Sequence, residues 1–204
     1  MRDSHACGSG LFGKVVSAVK IFFIRHGLTA GNLEKRYIGR TDEPLCSEGI
    51  AQLKTLRLPN CEAVVCSPMK RCIQTAEILF PQGVYLTADE LSECDFGDFE
   101  GMNYKDLSHN ADYQKWIDSG GTLPFPKGEA PEDFRRRCVK AFDSSVKEYG
   151  AAASIAFVVH GGTIMSILEK YAVPHRDYFD WHCENGHGYV CEWNGSELVI
   201  TEKI

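Results

Sequence analysis

Two stretches of the chain are apolar without interruption, Ile21–Ile24 and Ile155–Val159, and both are made of β-branched, aromatic and small residues. Runs of that length and kind predict strands buried on both faces, as in a parallel sheet covered by helices. Each run stops at a histidine followed by glycine, in Arg25-His26-Gly27 after the first and His160-Gly161-Gly162 after the second. Shorter runs at Ala63–Cys66 and Val84–Leu86 predict two more strands. Gly188–Trp193 and Glu197–Lys203 flank Asn-Gly-Ser, which predicts an antiparallel hairpin.

Between the strands the apolar period lengthens to that of helices. Ser47 offers an N-cap for a helix over 48–56 with Ile50, Leu53 and Leu56 on one face. Ser67 as cap and Pro68 as first helical residue start another, which carries Met69, Cys72, Ile73, Ala76 and Leu79 inward. Residues 104–118 predict one or two short helices, and 132–149 and 163–171 two more. Gly31–Leu45, Leu91–Gly101 and Gly120–Pro131 read as loops. The alternation predicts an α/β fold of three layers, α/β/α, around a mixed, mostly parallel sheet that ends in the antiparallel hairpin. Residues 20–204 form a single domain. Residues 1–19, with scattered glycine and serine and no period, read as a disordered extension.

Composition narrows the class. With 204 residues, 44% of them hydrophobic, the chain suffices for one sizeable core. Its apolar runs are far shorter than the ~20 residues that span a bilayer, and no apolar leader segment precedes them. Nine cysteines, an odd number scattered through predicted strands and helices, fit free thiols in a reducing compartment. The expectation is a cytoplasmic protein, monomer or homodimer, without membrane partner. A net charge of −6 argues against nucleic-acid binding while leaving room for a local cationic pocket.

The candidate chemistry sits at strand ends. Arg25 and His26 follow the first strand, at the edge where open α/β sheets bind ligands. Arg71 falls in the first turn of a helix, where a cation is disfavoured by the helix dipole unless an anion binds there. His160 follows the other long strand, and Leu91–Gly101 supplies carboxylates. Two arginines, two histidines and a carboxylate suit a phosphoryl group, because guanidinium matches phosphate oxygens as a fork. No nucleotide-binding P-loop motif is present, and the carboxylates show no metal spacing, so neither a metal nor another cofactor is expected. His182, Cys183, Glu184 and His187 lack a Cys-x-x-Cys pair and read as a loop before the hairpin.

In this order the motifs resemble the histidine phosphatase superfamily, the phosphoglycerate mutase-like proteins, from about Lys20 to the end. Arg25-His26-Gly27 is similar to its signature, continued by Thr29 and Asn32. Residues 32–45 resemble its substrate loop, with Arg36 and Gly39. Ser67–Ala76 resembles the segment that supplies Arg71, residues 91–101 the segment that supplies an acid, and Val158–Gly162 the segment with His160 and Gly161. The resemblance implies His26 as nucleophile, Glu93 as proton donor, Arg25, Arg71 and His160 on the phosphoryl oxygens, and Thr29, Asn32, Arg36, Gly39 and Gly161 as phosphate or substrate contacts. Asp95, Asp98 and Glu100 are rivals to Glu93, which the surrounding cations are expected to keep ionised in the empty site. The implied activity is metal-independent hydrolysis of a small-molecule phosphate monoester through a phosphohistidine, near the ribazole phosphatase and broad-specificity branch. The alternatives are a mutase-type phosphotransferase and a catalytically silent phosphate-binding module. Leu28 where the family carries Glu or Gln, and the absence of a mutase Leu-x-Glu-Arg-x-Tyr-Gly motif, favour the phosphatase.

Overall fold

The computed structural model describes residues 18–204, so the expected extension at 1–19 lies outside the described residues except at its end. There Val19 is already buried and opens the first strand. The strands are β1 (Val19–Arg25), β2 (Ala63–Cys66), β3 (Tyr85–Thr87), β4 (Ser154–Val159), β5 (Ala172–Val173), β6 (Gly188–Trp193) and β7 (Leu198–Lys203). They form one seven-stranded sheet in the order β3-β2-β4-β1-β6-β7-β5. The pairs β1/β4, β2/β4, β2/β3 and β5/β7 are parallel, whereas β6 runs antiparallel to both β1 and β7.

Because side chains alternate across a strand, the unbroken apolar runs feed two cores at once. Phe23, Val65, Phe157 and Val159 face one layer, where they meet Ala141 and Phe142 of α5 (Pro131–Tyr149) and Ile164, Ile167 and Leu168 of α6 (Gly161–Tyr171). Phe22, Ile24, Val64, Cys66 and Val158 face the other, against Leu53 of α2 (Ser47–Leu53) and Cys72, Ala76 and Leu79 of α3 (Lys70–Leu79). A third, smaller cluster outside the sheet gathers Phe99, Leu107, Phe125 and Phe134, with Tyr37, Phe96, Tyr113 and Trp116 packed against it. Trp116 and Tyr113 come from α4 (Ala111–Asp118).

Several boundaries depart from the expected ones. Residues 30–33, read as loop, form the single turn α1 (Ala30–Leu33), because Thr29 and Asn32 cap each other reciprocally. The cap of α2 is Cys46, whose sulfur accepts from the Gly49 N–H, while the Ser47 hydroxyl turns to Glu48. Helix α3 starts at Lys70 with Met69 as N-cap, and the Ser67 hydroxyl lies 2.8 Å from His160 Nε2 while accepting from the Met69 N–H at 3.4 Å. Helix α6 begins directly at Gly161, with His160 as its N-cap residue. The two-residue β5 had no sequence signal of its own. No helix among the described residues is long and apolar enough to cross a membrane, and the eight cysteines there are all free thiols.

Parallel strands in matching register end at one level. Arg25 pairs with Val159 and Cys66 with Val158, so His26, Ser67 and His160 leave three neighbouring strands side by side. The fold thereby delivers residues distant in sequence to one edge.

Candidate active site

His26 and His160 meet edge to face, ring centroids 5.2 Å apart, and both are almost fully buried. The Nδ1 of His26 lies 2.8 Å from the Gly27 carbonyl, which only accepts, so Nδ1 carries the proton and Nε2 keeps its lone pair. Burial, then the charges of Arg71 and Arg25, hold this imidazole well below its ordinary range. His160 is held down in the same way by burial, Arg71, His26 and Arg25. Its Nε2 lies 2.8 Å from the Ser67 hydroxyl.

Arg25 extends from the end of β1 with Nη1 donating to the Cys183 carbonyl at 2.8 Å. Arg71 is wholly buried in the first turn of α3. Its Nη1 donates to the Thr41 carbonyl at 2.8 Å, and its Nη2 to the carbonyls of Gly39 at 3.0 Å and Ile38 at 3.4 Å. The Nε–H groups of both arginines are buried without a hydrogen-bond partner among the described residues. An unsatisfied buried donor costs about 1–3 kcal/mol, so each of these N–H groups is free to take an acceptor oxygen.

Glu93 is half-buried, with Oε1 accepting from the Cys94 N–H at 2.9 Å. The first turn of α6 closes on it. A Cβ on Gly162 would lie 2.9 Å from Glu93 Oε1, and one on Gly161 would lie 3.3 Å from Arg25 Nε, so the two glycines let both groups approach the helix. As expected, the cations around Glu93 favour its ionised form in the empty site, but they are not the largest influence on it. Burial outweighs the Cys94 N–H and the charges of Arg71, Arg25 and Arg137, and the carboxyl is pushed up. Its rivals have other partners. Asp95 pairs with Arg40 and Asp98 with Lys127, while both oxygens of Glu100 accept backbone N–H groups.

Glu93 separates two cavities. One, of about 250 Å³, is lined by Arg25, Glu93 and His182 and by aromatic residues, Tyr37, Trp116 and Phe134 among them. The second is polar and holds Gly39, Arg40 and Arg137 with the carboxylates Asp89, Glu93, Asp95 and Glu129.

Of the remaining expected contacts, Gly161 lines the aromatic cavity and Gly39 the polar one. Thr29 is buried and serves as a cap. Asn32 turns its Oδ1 to Thr29 and to Asn185. Arg36 is not brought in, since its guanidinium holds Glu34, Asp106 and the Gly101 carbonyl.

Other residues escaped the sequence reading. Asn185 donates to the His26 carbonyl at 3.1 Å and to Asn32 Oδ1 at 3.0 Å. The segment read as a plain loop is laced to the signature, because the Gly186 N–H donates to the carbonyls of Arg25 and His26, and Arg25 N–H to that of His187. Arg137 holds the acid segment by donating to the carbonyls of Glu90, Ser92 and Glu93 while pairing with Glu129. The only signal for it was a third arginine in a helix. His182, Cys183, Glu184 and His187 do not converge, and no group of three or more such side chains among the described residues is placed to hold a metal.

Residues 21–203 match the family described as Histidine phosphatase superfamily (branch 1). The chain belongs to the histidine phosphatase superfamily. It is 28% identical over 180 residues to the adenosylcobalamin/alpha-ribazole phosphatase of Salmonella typhimurium, covering 82% of this chain and 87% of that one. It is 27% identical to a 2,3-bisphosphoglycerate-dependent phosphoglycerate mutase of Gloeobacter violaceus, covering 72% and 73%. The solved alpha-ribazole phosphatase of Shigella flexneri superposes with a TM-score of 0.81 at 25% identity, covering 91% of this chain and 96% of its own. This histidine phosphatase is thus an enzyme of the phosphatase class with a mixed sheet like those relatives, and the expected fold class and family hold.

Proposed function

We propose that this histidine phosphatase hydrolyses phosphate monoesters of alcohols that carry a flat aromatic group, in two in-line steps through a phosphohistidine at His26. The observation behind this reading is the pair of unpartnered Nε–H donors of Arg25 and Arg71, whose charges act on a neutral, tautomer-fixed imidazole. In the first step the His26 Nε2 lone pair attacks phosphorus. The ester P–O bond breaks with its electron pair on the alcohol oxygen, which takes the proton of Glu93. In the second, Glu93 takes a proton from water as the water oxygen attacks phosphorus, and the P–N bond pair returns to Nε2. Arg25, Arg71 and His160 hold the equatorial oxygens, where phosphoryl transfer concentrates charge. The upward shift of Glu93 suits a group that must first donate a proton.

The aromatic cavity beside Glu93 supports the substrate class, since the leaving alcohol must lie next to the acid. The relatives named alpha-ribazole phosphatase make a ribazole phosphate the first ester to try. A mutase reaction would need room for a second anion. The polar cavity on the other side of Glu93 carries four carboxylates against two guanidinium groups, which disfavours one.

A panel of esters tests this reading. Aromatic-bearing esters, ribazole phosphate among them, should exceed glycerol phosphate in kcat/KM by roughly tenfold or more, the worth of about 1.4 kcal/mol of apolar burial. 3-Phosphoglycerate should give inorganic phosphate and no isomer, with or without 2,3-bisphosphoglycerate. A preference for small polar esters, or net isomerisation, would overturn it.

A further inference from the structure

Glu100 stood in the sequence only as a rival to the acid, and the structure gives it other work. Its Oε1 accepts from the N–H groups of Gly39 and Thr41, both at 2.9 Å, and its Oε2 from that of Gly39 at 3.1 Å. The same short segment turns its carbonyls the opposite way. Those of Ile38, Gly39 and Thr41 receive the Nη1 and Nη2 donors of Arg71. Three backbone carbonyls fix the plane of a guanidinium, and what remains to it is the buried Nε–H and one Nη1 hydrogen. A loop without regular structure has no ladder to hold its carbonyls in place. Beyond the backbone pairing of Tyr37 with Gly101 and Met102, this single carboxylate takes the N–H groups of Gly39 and Thr41, and Gly39 is pressed so close to the acid segment that a Cβ there would lie 2.0 Å from the Cys94 carbonyl oxygen.

We propose that Glu100 is the positioning residue of the phosphate site: it anchors residues 38–41, and through their carbonyls it orients Arg71 toward the phosphoryl oxygens. Glu100 touches neither the substrate nor the reacting atoms. Its loss should therefore weaken the holding of phosphate without changing the need for a proton at the leaving group. A carboxamide keeps the shape and one acceptor oxygen but replaces the other with a donor facing N–H groups, so Glu100→Gln frees part of the loop.

The inference rests on Arg71 binding phosphate, and the experiment separates the two. Vanadate inhibition and kcat/KM are measured for wild type, Glu100→Gln, Arg71→Ala and the double variant, on an alkyl phosphate and on p-nitrophenyl phosphate. Glu100→Gln should raise the vanadate inhibition constant roughly tenfold, the lower end of what a charged hydrogen bond contributes. It should lower kcat/KM by the same factor on both substrates. In the double variant the two losses should not add, because one acts through the other. Glu100→Asp, which is shorter by one methylene, serves should the amide fail to fold, and the same non-additivity is expected of it. Additive losses would overturn the role of Glu100, as would an unchanged vanadate constant or a loss confined to the alkyl phosphate. A wild-type enzyme insensitive to vanadate would instead overturn the phosphate reading of the site itself.

Discussion

At the residue scale, what distinguishes the site is that its titratable groups are moved away from their usual states by burial first and by charge second. His26 is neutral because a cation would be buried among cations, and a neutral imidazole is the form that attacks. Glu93 is shifted in the opposite sense, and a carboxyl kept protonated longer is the form that donates. The leaving group therefore reports on Glu93. Glu93→Gln should lose on the order of 10²-fold on alkyl phosphates, whose alkoxides leave poorly, and far less on p-nitrophenyl phosphate. Equal losses on both substrates would mean that Glu93 acts through folding or binding. The sequence showed four carboxylates in this segment, and resemblance alone picked one. In the structure Asp95 pairs with Arg40, Asp98 with Lys127, and Glu100 with the Gly39 and Thr41 N–H groups, which supports the proposal of Glu93.

At the scale of elements, β1, β2 and β4 were legible because a strand buried on both faces leaves an unbroken apolar run. So was the hairpin, whose turn is spelled by Asn194-Gly195-Ser196. Helix starts were harder to read. Ser67 looks like a cap, but its hydroxyl lies against His160, a contact between residues 93 apart that no local pattern reveals. The same blindness hid Asn185, Arg137 and the anchoring role of Glu100. Each acts on backbone far away in the chain: Asn185 on the His26 carbonyl, Arg137 on three carbonyls before α4, and Glu100 on residues 39–41. The convergence of motif residues that end strands was legible because the sheet brings strand ends together by rule. The supporting residues were missed because nothing in their own neighbourhood asks for a charge. Arg36 shows the complementary case, a cation in the expected segment that pairs with Glu34 and Asp106.

At the scale of the whole molecule, the buried histidines couple the site to stability. His26 and His160 have folded values well below the ordinary ~6.5 of a free histidine, and His182 is lowered too. Below about pH 6.5 the unfolded chain therefore binds more protons than the folded one, and stability is lost as pH falls. Each such histidine contributes a slope of up to ~1.4 kcal/mol per pH unit. Glu93, raised from its model-compound range, opposes them just above about pH 4.5, where the folded protein holds the extra proton. Two deeply buried histidines outweigh one carboxyl, so unfolding free energy from urea titrations should rise from pH 5 to 6.5 and then level. A flat or falling profile over that interval would show that the imidazoles are not held neutral.

The central claim is that the phosphoryl group passes through His26, and one measurement bears on it directly. Enzyme mixed with a turning-over ester, quenched within milliseconds in base, digested and mapped by mass spectrometry should carry an acid-labile, base-stable phosphate on His26. It should be absent from a His26→Ala variant. A phosphate found on His160, or no phosphoenzyme with a good ester whose alcohol is released in a burst ahead of phosphate, would contradict the account.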